Sequence, residues 1–387
     1  MLPRVAFVNG GILGLLSYAA WLRRTFDGGG GIHVEHFVLT EHLSTRERIQ
    51  RRALCARLWP DRLGVRNLDL ARYRQELNSG LLARQRLLAR GLEHFDVLHF
   101  HRQASAYAAL DLMDRVPSIV SIDCTQTCVL QDATTAAERW SLGFNLRRDG
   151  AILRRAAAIV STSQWTARDV RRLYPDVTAP IHVLPNPVPL DLFDAAWLDE
   201  RLTRTRARPQ CLFMGGDFPR KGGYDLLAAW EAGGFGARAD LTLVTEWRLG
   251  ALPAGVRQLR GIRGHTPAWI RAWQDADLFV MPTRNEAFGL VYQEAAAAGL
   301  PAIGSRLNAV PEIIADGETG LLVPPGDVAS LARALDTLLG SAELRDRLGR
   351  NARRKIERDA HPDDHRRQLV GLIAQVASIR QGPQRHG

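Results

Sequence analysis

The chain has 387 residues, 46% hydrophobic and 24% charged, with 34 glycines and four cysteines. That length holds two to three domains, and the balance excludes a disordered, collagen-like or disulfide-dense chain. The formal charge is +10 with Arg outnumbering Lys 49 to 2, and residues 46–90 hold 12 Arg against four acids, so the basic excess is one patch.

The first element decides between two classes. From Val5 to Leu22 the chain carries no charge, and about 18 residues is the lower limit of a membrane-spanning helix. Asn9-Gly10-Gly11 and Gly14 interrupt that run. A strand over 5–8, a glycine turn and a helix from Ile12 explain the same letters, with a signal peptide or anchor as the alternative. No other segment is a candidate, so a cytoplasmic protein is expected. Cys124 and Cys128 form a C-x3-C pair without a second pair or a nearby His, a poor zinc site, and Cys55 and Cys211 stand alone. No metal is expected.

Short apolar runs continue at 34–39, 97–100, 119–122 and 158–161, then at 211–214, 241–244, 278–281 and 302–303. Each pair is separated by a longer amphipathic stretch, which predicts parallel sheets with right-handed crossovers. The fold class is therefore α/β, with two doubly wound Rossmann-like domains. Between them, the strand beginning at Ile181 runs into Pro185, Pro187 and Pro189, which no helix can cross. The expected division is 1–187, 188–360 and a C-terminal helix in 361–387. Domains of this class take ligands at the carboxyl ends of their strands.

Two segments follow such strands in the second half. The sharper is Pro282-Thr283-Arg284-Asn285-Glu286-Ala287-Phe288-Gly289-Leu290, which leads into a predicted helix. Free amides from Phe288 to Val291 at that helix start would form an anion site. Glu286 before it and Glu294 inside it suit a ligand that also carries sugar hydroxyls; a capping Glu and a solvated Glu are the alternative. The other segment, Gly215-Gly216-Asp217-Phe218-Pro219-Arg220-Lys221-Gly222-Gly223, puts two cations in a glycine-flanked loop. Neither G-x-G-x-x-G nor G-x-x-x-x-G-K-[ST] fits it. A solvated basic turn is the alternative there.

Residues 211–360 resemble the donor domain of the retaining GT-B glycosyltransferases of family GT4. The resemblance is carried by Glu286 and Glu294 at E-x7-E spacing, Gly299-Leu300-Pro301-Ala302-Ile303-Gly304-Ser305, the run from Pro311 to Val323, and Pro325-Gly326-Asp327. The first half matches in outline only. The resemblance implies a GT-B arrangement in which the two domains face a cleft. It implies that Glu286 contacts donor-sugar hydroxyls and Glu294 the ribose. Amides of Phe288, Gly289 and Leu290 would hold sugar and diphosphate, while Arg220 and Lys221 neutralise the leaving diphosphate. Many family members carry an arginine where this chain has Gly216, and Arg220 takes that role here. Gly215 belongs to the same donor loop, and Gly10 and Gly11 would line the cleft opposite. Asp123 stands where the family often has a His, and would serve the transfer step or the acceptor. His99 and His101, ending a strand, are candidate acceptor contacts.

The expected reaction moves a sugar from a UDP- or GDP-linked donor to a saccharide or lipid-linked acceptor in cell-surface glycan synthesis. The resemblance implies retention, and no metal or other cofactor is expected, because no Asp-x-Asp motif follows a donor-half strand and the two cations replace the clamp. Residues 46–90 interleave Arg with Ile49, Leu54, Leu58 and Trp59, which is either a solvated helical face or a surface for anionic membrane at the inner leaflet. Two other functions compete. A GT-B-fold sugar-nucleotide epimerase would need an acid/base pair that is not apparent. A nucleic-acid-binding protein is suggested by pI ≈ 10.1 but lacks any recognised motif, so no nucleic-acid partner is expected.

Overall fold

A computed structural model of the chain describes residues 2–10, 13–27, 31–56, 70–133, 135–203 and 206–380. The first sheet contains β1 (Arg4–Asn9), β2 (His33–Val38), β3 (Val97–His101), β4 (Ser118–Ile122), β5 (Ala158–Ser161) and β6 (Ile181–Val183). The second contains β7 (Gln210–Met214), β8 (Asp240–Val244), β9 (Val256–Leu259), β10 (Leu278–Met281), β11 (Ala302–Ser305) and β12 (Gly320–Val323). All the pairings are parallel. Each sheet is the centre of its own unit: Met1–Asn186 with Asp363–Gly387, and Pro187–Pro362.

Continuous apolar runs become strands buried on both faces, because crossover helices cover a parallel sheet on either side. β3, β4, β5, β10 and β11 have every residue buried. In β1 the alternation is explicit: Val5 and Phe7 join one apolar cluster, Ala6 and Val8 the other. The helix Pro362–Arg380 covers the first of these faces with Leu369, Leu372, Ile373, Val376 and Ala377. Helix starts are marked chemically. Capping boxes at Ser44/Glu47 and Thr135/Glu138 open the helices Thr45–Cys55 and Ala136–Arg155, and Thr266 followed by Pro267 opens Pro267–Gln274.

The uncharged run near the N-terminus is β1 followed by the helix Leu13–Phe26. Among the described residues, no helix is long and apolar enough to cross a membrane. Two strands differ from the sequence reading. β9 is an edge strand with exposed Arg257 and half-buried Gln258, so it lacks an apolar run. β12 is four residues opened by a glycine and closed by Pro324, too short to stand out.

Strand order fixes where ligands fit. The first sheet runs β2-β1-β3-β4-β5-β6 and the second β12-β11-β10-β7-β8-β9. Chain direction across the sheet reverses between β1 and β3 in one, and between β7 and β10 in the other. Loops leaving the two flanking strands diverge there and open a crevice at their carboxyl ends.

Candidate active site

At the switch point of the second sheet, the loop after β7 meets the loop after β10. Lys221 Nζ donates to Glu286 Oε2, with only 15% and 11% of the two side chains exposed. The loops are locked together by backbone. Arg284 N donates to Arg220 O at 2.8 Å, and Thr283 Oγ1 bridges Arg220 O and Asn285 O at 3.2 and 2.9 Å. Gly222, at φ +73°, makes this contact possible, since a Cβ there would lie 1.9 Å from Pro282 O. Arg284 reaches on to Asp225 with bonds of 2.7 and 2.6 Å. The Arg220 guanidinium turns to Asp217 at 3.1 Å and to Asn285 O at 2.7 Å.

The helix Leu290–Ala297 begins directly beyond. Gly289 caps it at φ +94°, with the Tyr292 ring only 2.6 Å from where a Cβ would stand. Tyr292 OH donates to Met281 O at 2.5 Å, tying the first helical turn to the end of β10. That turn presents unbonded amides and the positive end of the helix dipole beside the Lys221–Glu286 pair. The Phe288 ring is buried beneath it. Glu294 sits one turn further, and burial raises its carboxyl to about 8. Gly215 spends its amide on Val244 O at 3.0 Å, while Gly216 borders open space.

The first sheet's switch point differs in character. Asn9, ending β1, is fully buried, and its Oδ1 and Nδ2 have no protein partner; Ser105 Oγ and Thr162 Oγ1 are likewise buried without one. Gly10 faces Ser105, and Gly11 lies outside the described residues. Asp123, half-buried after β4, accepts from Cys124 N at 3.0 Å and lines a small cavity with His101, Arg102, Thr162 and Asn186. Burial opposes the charge on Arg102, but Asp123 and Glu76 beside it outweigh that and hold it charged.

The two histidines lie deeper than a strand end in the sequence suggests. His99 is completely buried, its Nε2 2.7 Å from Ser121 Oγ, and burial with His365 nearby pushes its pKa down to about 3. His101 is 4% exposed, stacked on Tyr18 at 4.2 Å, and burial again holds it neutral. They end a strand whose every residue is interior: His99 packs within the unit, while His101, buried as it is, borders the small cavity that Asp123 lines. Among the described residues, no group of three or more His, Cys, Asp or Glu is placed to hold a metal ion.

The profile of glycosyl transferases group 1 matches residues 263–355, and that of glycosyltransferase family 4 matches residues 31–192. A D-inositol 3-phosphate glycosyltransferase of Xylanimonas cellulosilytica is 31% identical over 222 residues, 51% of this chain and 52% of that protein. Sucrose-phosphate synthase from Thermosynechococcus elongatus has a similar structure, with TM-score 0.73, 19% identity and 97% and 100% of the two chains covered. The Anabaena protein HepE, solved in complex with UDP-glucose, gives 0.64 at 14% identity over 96% and 100%. The chain belongs to the family 4 glycosyltransferases of the GT-B fold. The matched stretch spans 18–20% of the length of the first curated relatives and about half of the Xylanimonas protein.

Sequence reasoning missed what supports the first-sheet site. Behind Arg102 lies a buried network. Asn145 Nδ2 donates to Glu76 Oε2 at 2.6 Å, while Tyr107 OH and Gln126 Nε2 donate to the two Asp149 oxygens at 2.8 Å each. Burial and Glu76 push Asp149 up to about 7. These residues are scattered from 76 to 149 and share no motif. Their one signal in the sequence was acidic letters inside otherwise apolar helix faces.

Proposed function

We propose that this chain transfers a sugar from a nucleotide diphosphosugar to a hydroxyl acceptor, with retention of anomeric configuration and without a metal. The observation that carries the reading is the Lys221–Glu286 pair at the β7/β10 switch point, beneath the start of the helix Leu290–Ala297. A diphosphate entering there takes Lys221 from Glu286. The freed carboxylate then accepts bonds from donor-sugar hydroxyls. As the anomeric C–O bond breaks, negative charge gathers on the leaving phosphate, where Lys221, Arg220 and the amides of Gly289 and Leu290 stabilise it. The acceptor oxygen attacks from the same face, and its proton passes to the departing phosphate oxygen. Asp123 and the buried unpaired polar atoms of the first sheet support an acceptor rich in hydroxyls.

The Anabaena complex with UDP-glucose supports a UDP-linked donor, with a GDP-linked donor as the alternative. The acceptor we infer is a saccharide or lipid-linked saccharide of a cell-surface glycan, met at the cytoplasmic face of a membrane. Exposed Arg46, Arg51, Arg52 and Ile49 on the helix Thr45–Cys55 support that site. In the rest of the basic stretch Arg84, Arg86 and Arg90 are ion-paired, and residues 57–69 lie outside the described residues. Sedimentation with anionic but not neutral liposomes checks it; equal recovery with both overturns it.

A thermal-shift screen against UDP, GDP, ADP and TDP, with and without EDTA, tests the donor. One nucleotide is expected to stabilise the protein regardless of EDTA, and Lys221→Ala to weaken it by roughly tenfold or more. Binding of none, or binding abolished by EDTA, overturns the reading. Release of glycosylated acceptor separates transfer from epimerisation of the donor.

A further inference from the structure

Trp247 and Tyr224 are 41% and 51% exposed, unusual for large aromatic rings, and they stand together. Trp247 Nε1 donates to Tyr224 OH at 3.0 Å. Neither ring hangs loose. The Trp247 backbone is fixed on both sides, its N donating to Thr245 Oγ1 at 3.2 Å and its O accepting from Gln258 Nε2 at 2.7 Å. The Tyr224 ring meets Phe218 edge-on at 5.1 Å, and Phe218 meets Phe213 at 5.2 Å. A rigid aromatic pair held in solvent is what a stacking ligand requires, since little ordering remains to be done on binding.

Its place in the sheet is equally specific. Trp247 follows the carboxyl end of β8, and Tyr224 stands in the first turn of the helix Gly223–Ala232, directly after the Lys221 loop. β8 neighbours β7, whose loop carries Lys221, so Trp247 belongs to the next strand beyond the phosphate site. Neighbouring strands are about 4.8 Å apart, which puts the end of β8 roughly 10 Å from that of β10 and Glu286. Going the other way, the edge beyond β11 presents the Arg306–Asp316 ion pair.

We propose that Trp247 and Tyr224 are the nucleobase face of the donor site, with the base stacked on the indole and Tyr224 holding the indole in position. This rests on the donor reading above: with the sugar at Glu286 and the diphosphate at Lys221, the nucleoside extends over β8. Stacking is tolerant of base identity, so the pair supplies affinity for any nucleoside diphosphate, and selectivity among bases must come from groups at the base edge.

Calorimetric titration tests this with two probes, inorganic pyrophosphate and whichever of UDP, GDP, ADP or TDP binds the wild type most tightly. Trp247→Ala is expected to weaken the nucleotide by about tenfold or more, Trp247→Phe to restore most of the loss, and pyrophosphate affinity to stay unchanged in both. The exposed position of Trp247 lets these variants fold, which an unchanged melting temperature verifies. Nucleotide affinity unchanged in Trp247→Ala, or pyrophosphate lost in parallel with nucleotide, overturns the stacking role and leaves the donor reading standing. Wild-type protein that binds neither probe overturns the donor reading itself, and this inference with it.

Discussion

The two sheets end in different kinds of chemistry. At the second, the charged groups come from two short loops, and Lys221, Glu286, Arg220 and Asp217 remain within reach of solvent. At the first, the titratable groups are interior: Glu76, Asp149, His99, His101 and His365 are all less than 10% exposed and come from separate elements. Tyr18 OH donates to His365 Nε2 at 2.8 Å while His365 Nδ1 donates to Pro185 O at 2.9 Å, so even the C-terminal helix is tied in through a neutral imidazole. Groups that must meet a charged ligand are kept on loops where water can stand in for it. Groups that hold a shape are buried, and must then be neutral or fully paired.

The largest effect should come from the loop packing on which the second site depends. Gly222→Ala drives a methyl into Pro282 O and imposes an unfavourable positive φ, at a cost of at least about 2 kcal/mol. Gly216 lies in the same loop at no positive φ, and a Cβ there would meet nothing within 4 Å. Gly216→Ala should therefore leave stability within about 0.5 kcal/mol of wild type. Thermal unfolding of both variants checks the contrast. Equal melting temperatures would mean that the two loops are not locked as described.

The same contrast explains what could be read in the letters. Residues 282–290 and 215–223 are contiguous, follow apolar runs, and announce themselves by glycines and rare lysine, so the loop partners at the second sheet were legible. Nothing in the sequence told that Lys221 would pair with Glu286, 65 positions away. Most strands were legible for the same reason, as apolar runs between amphipathic stretches. β9 was not, because an edge strand keeps polar residues on its open side. At the first sheet, His99 and His101 were candidate acceptor contacts because they end a strand, where ligands of this fold class bind. In a parallel sheet both faces are covered, so the last residues of a strand can be as buried as its middle, which the letters do not tell. The Glu76–Tyr107–Asp149 network depends on three helices and turns meeting in space, which no local pattern encodes.

A pH series exposes the interior character of the first unit. Burial holds His99 at about 3 and His365 at about 4, so between those values and 6.5 the unfolded chain binds protons that the folded chain refuses. Stability is therefore lost as pH falls below 6.5. Asp149 acts oppositely: held at about 7, it keeps a proton that the unfolded chain releases near 3.8, so its contribution declines as pH rises from about 4 to 7. With His101 also lowered, three imidazoles outweigh the two raised carboxyls, Asp149 and, in the second unit, Glu294. Melting temperature should fall by several degrees from pH 7 to pH 5, and by more in Asp149→Asn, which lacks the opposing slope. A wild-type profile flat across that range would break the comparison.

The smallest effect sharpens it, because Glu294 is the one group of the second site that behaves like the interior of the first. Burial raises its carboxyl to about 8, against an ordinary 4.5, so near pH 7 it is mostly a neutral acid able both to donate and to accept a hydrogen bond. Glutamine copies that form. Glu294→Gln should therefore bind nucleotide at pH 7 within about threefold of wild type, whereas Glu294→Ala, losing the hydrogen bond we propose it makes to the ribose, should lose roughly tenfold. The folded wild type keeps its proton up to about 8, so its stability declines as pH climbs from 4.5 to 8, and the glutamine variant should lack that decline. Calorimetry at pH 7 and melts at pH 6 and 9 separate the two effects. If glutamine abolishes binding while leaving the melts unchanged, the ligand must draw the proton off Glu294 as it binds. Glu294 would then work as Glu286 does, by exchanging one partner for another, and the second site would be charged throughout.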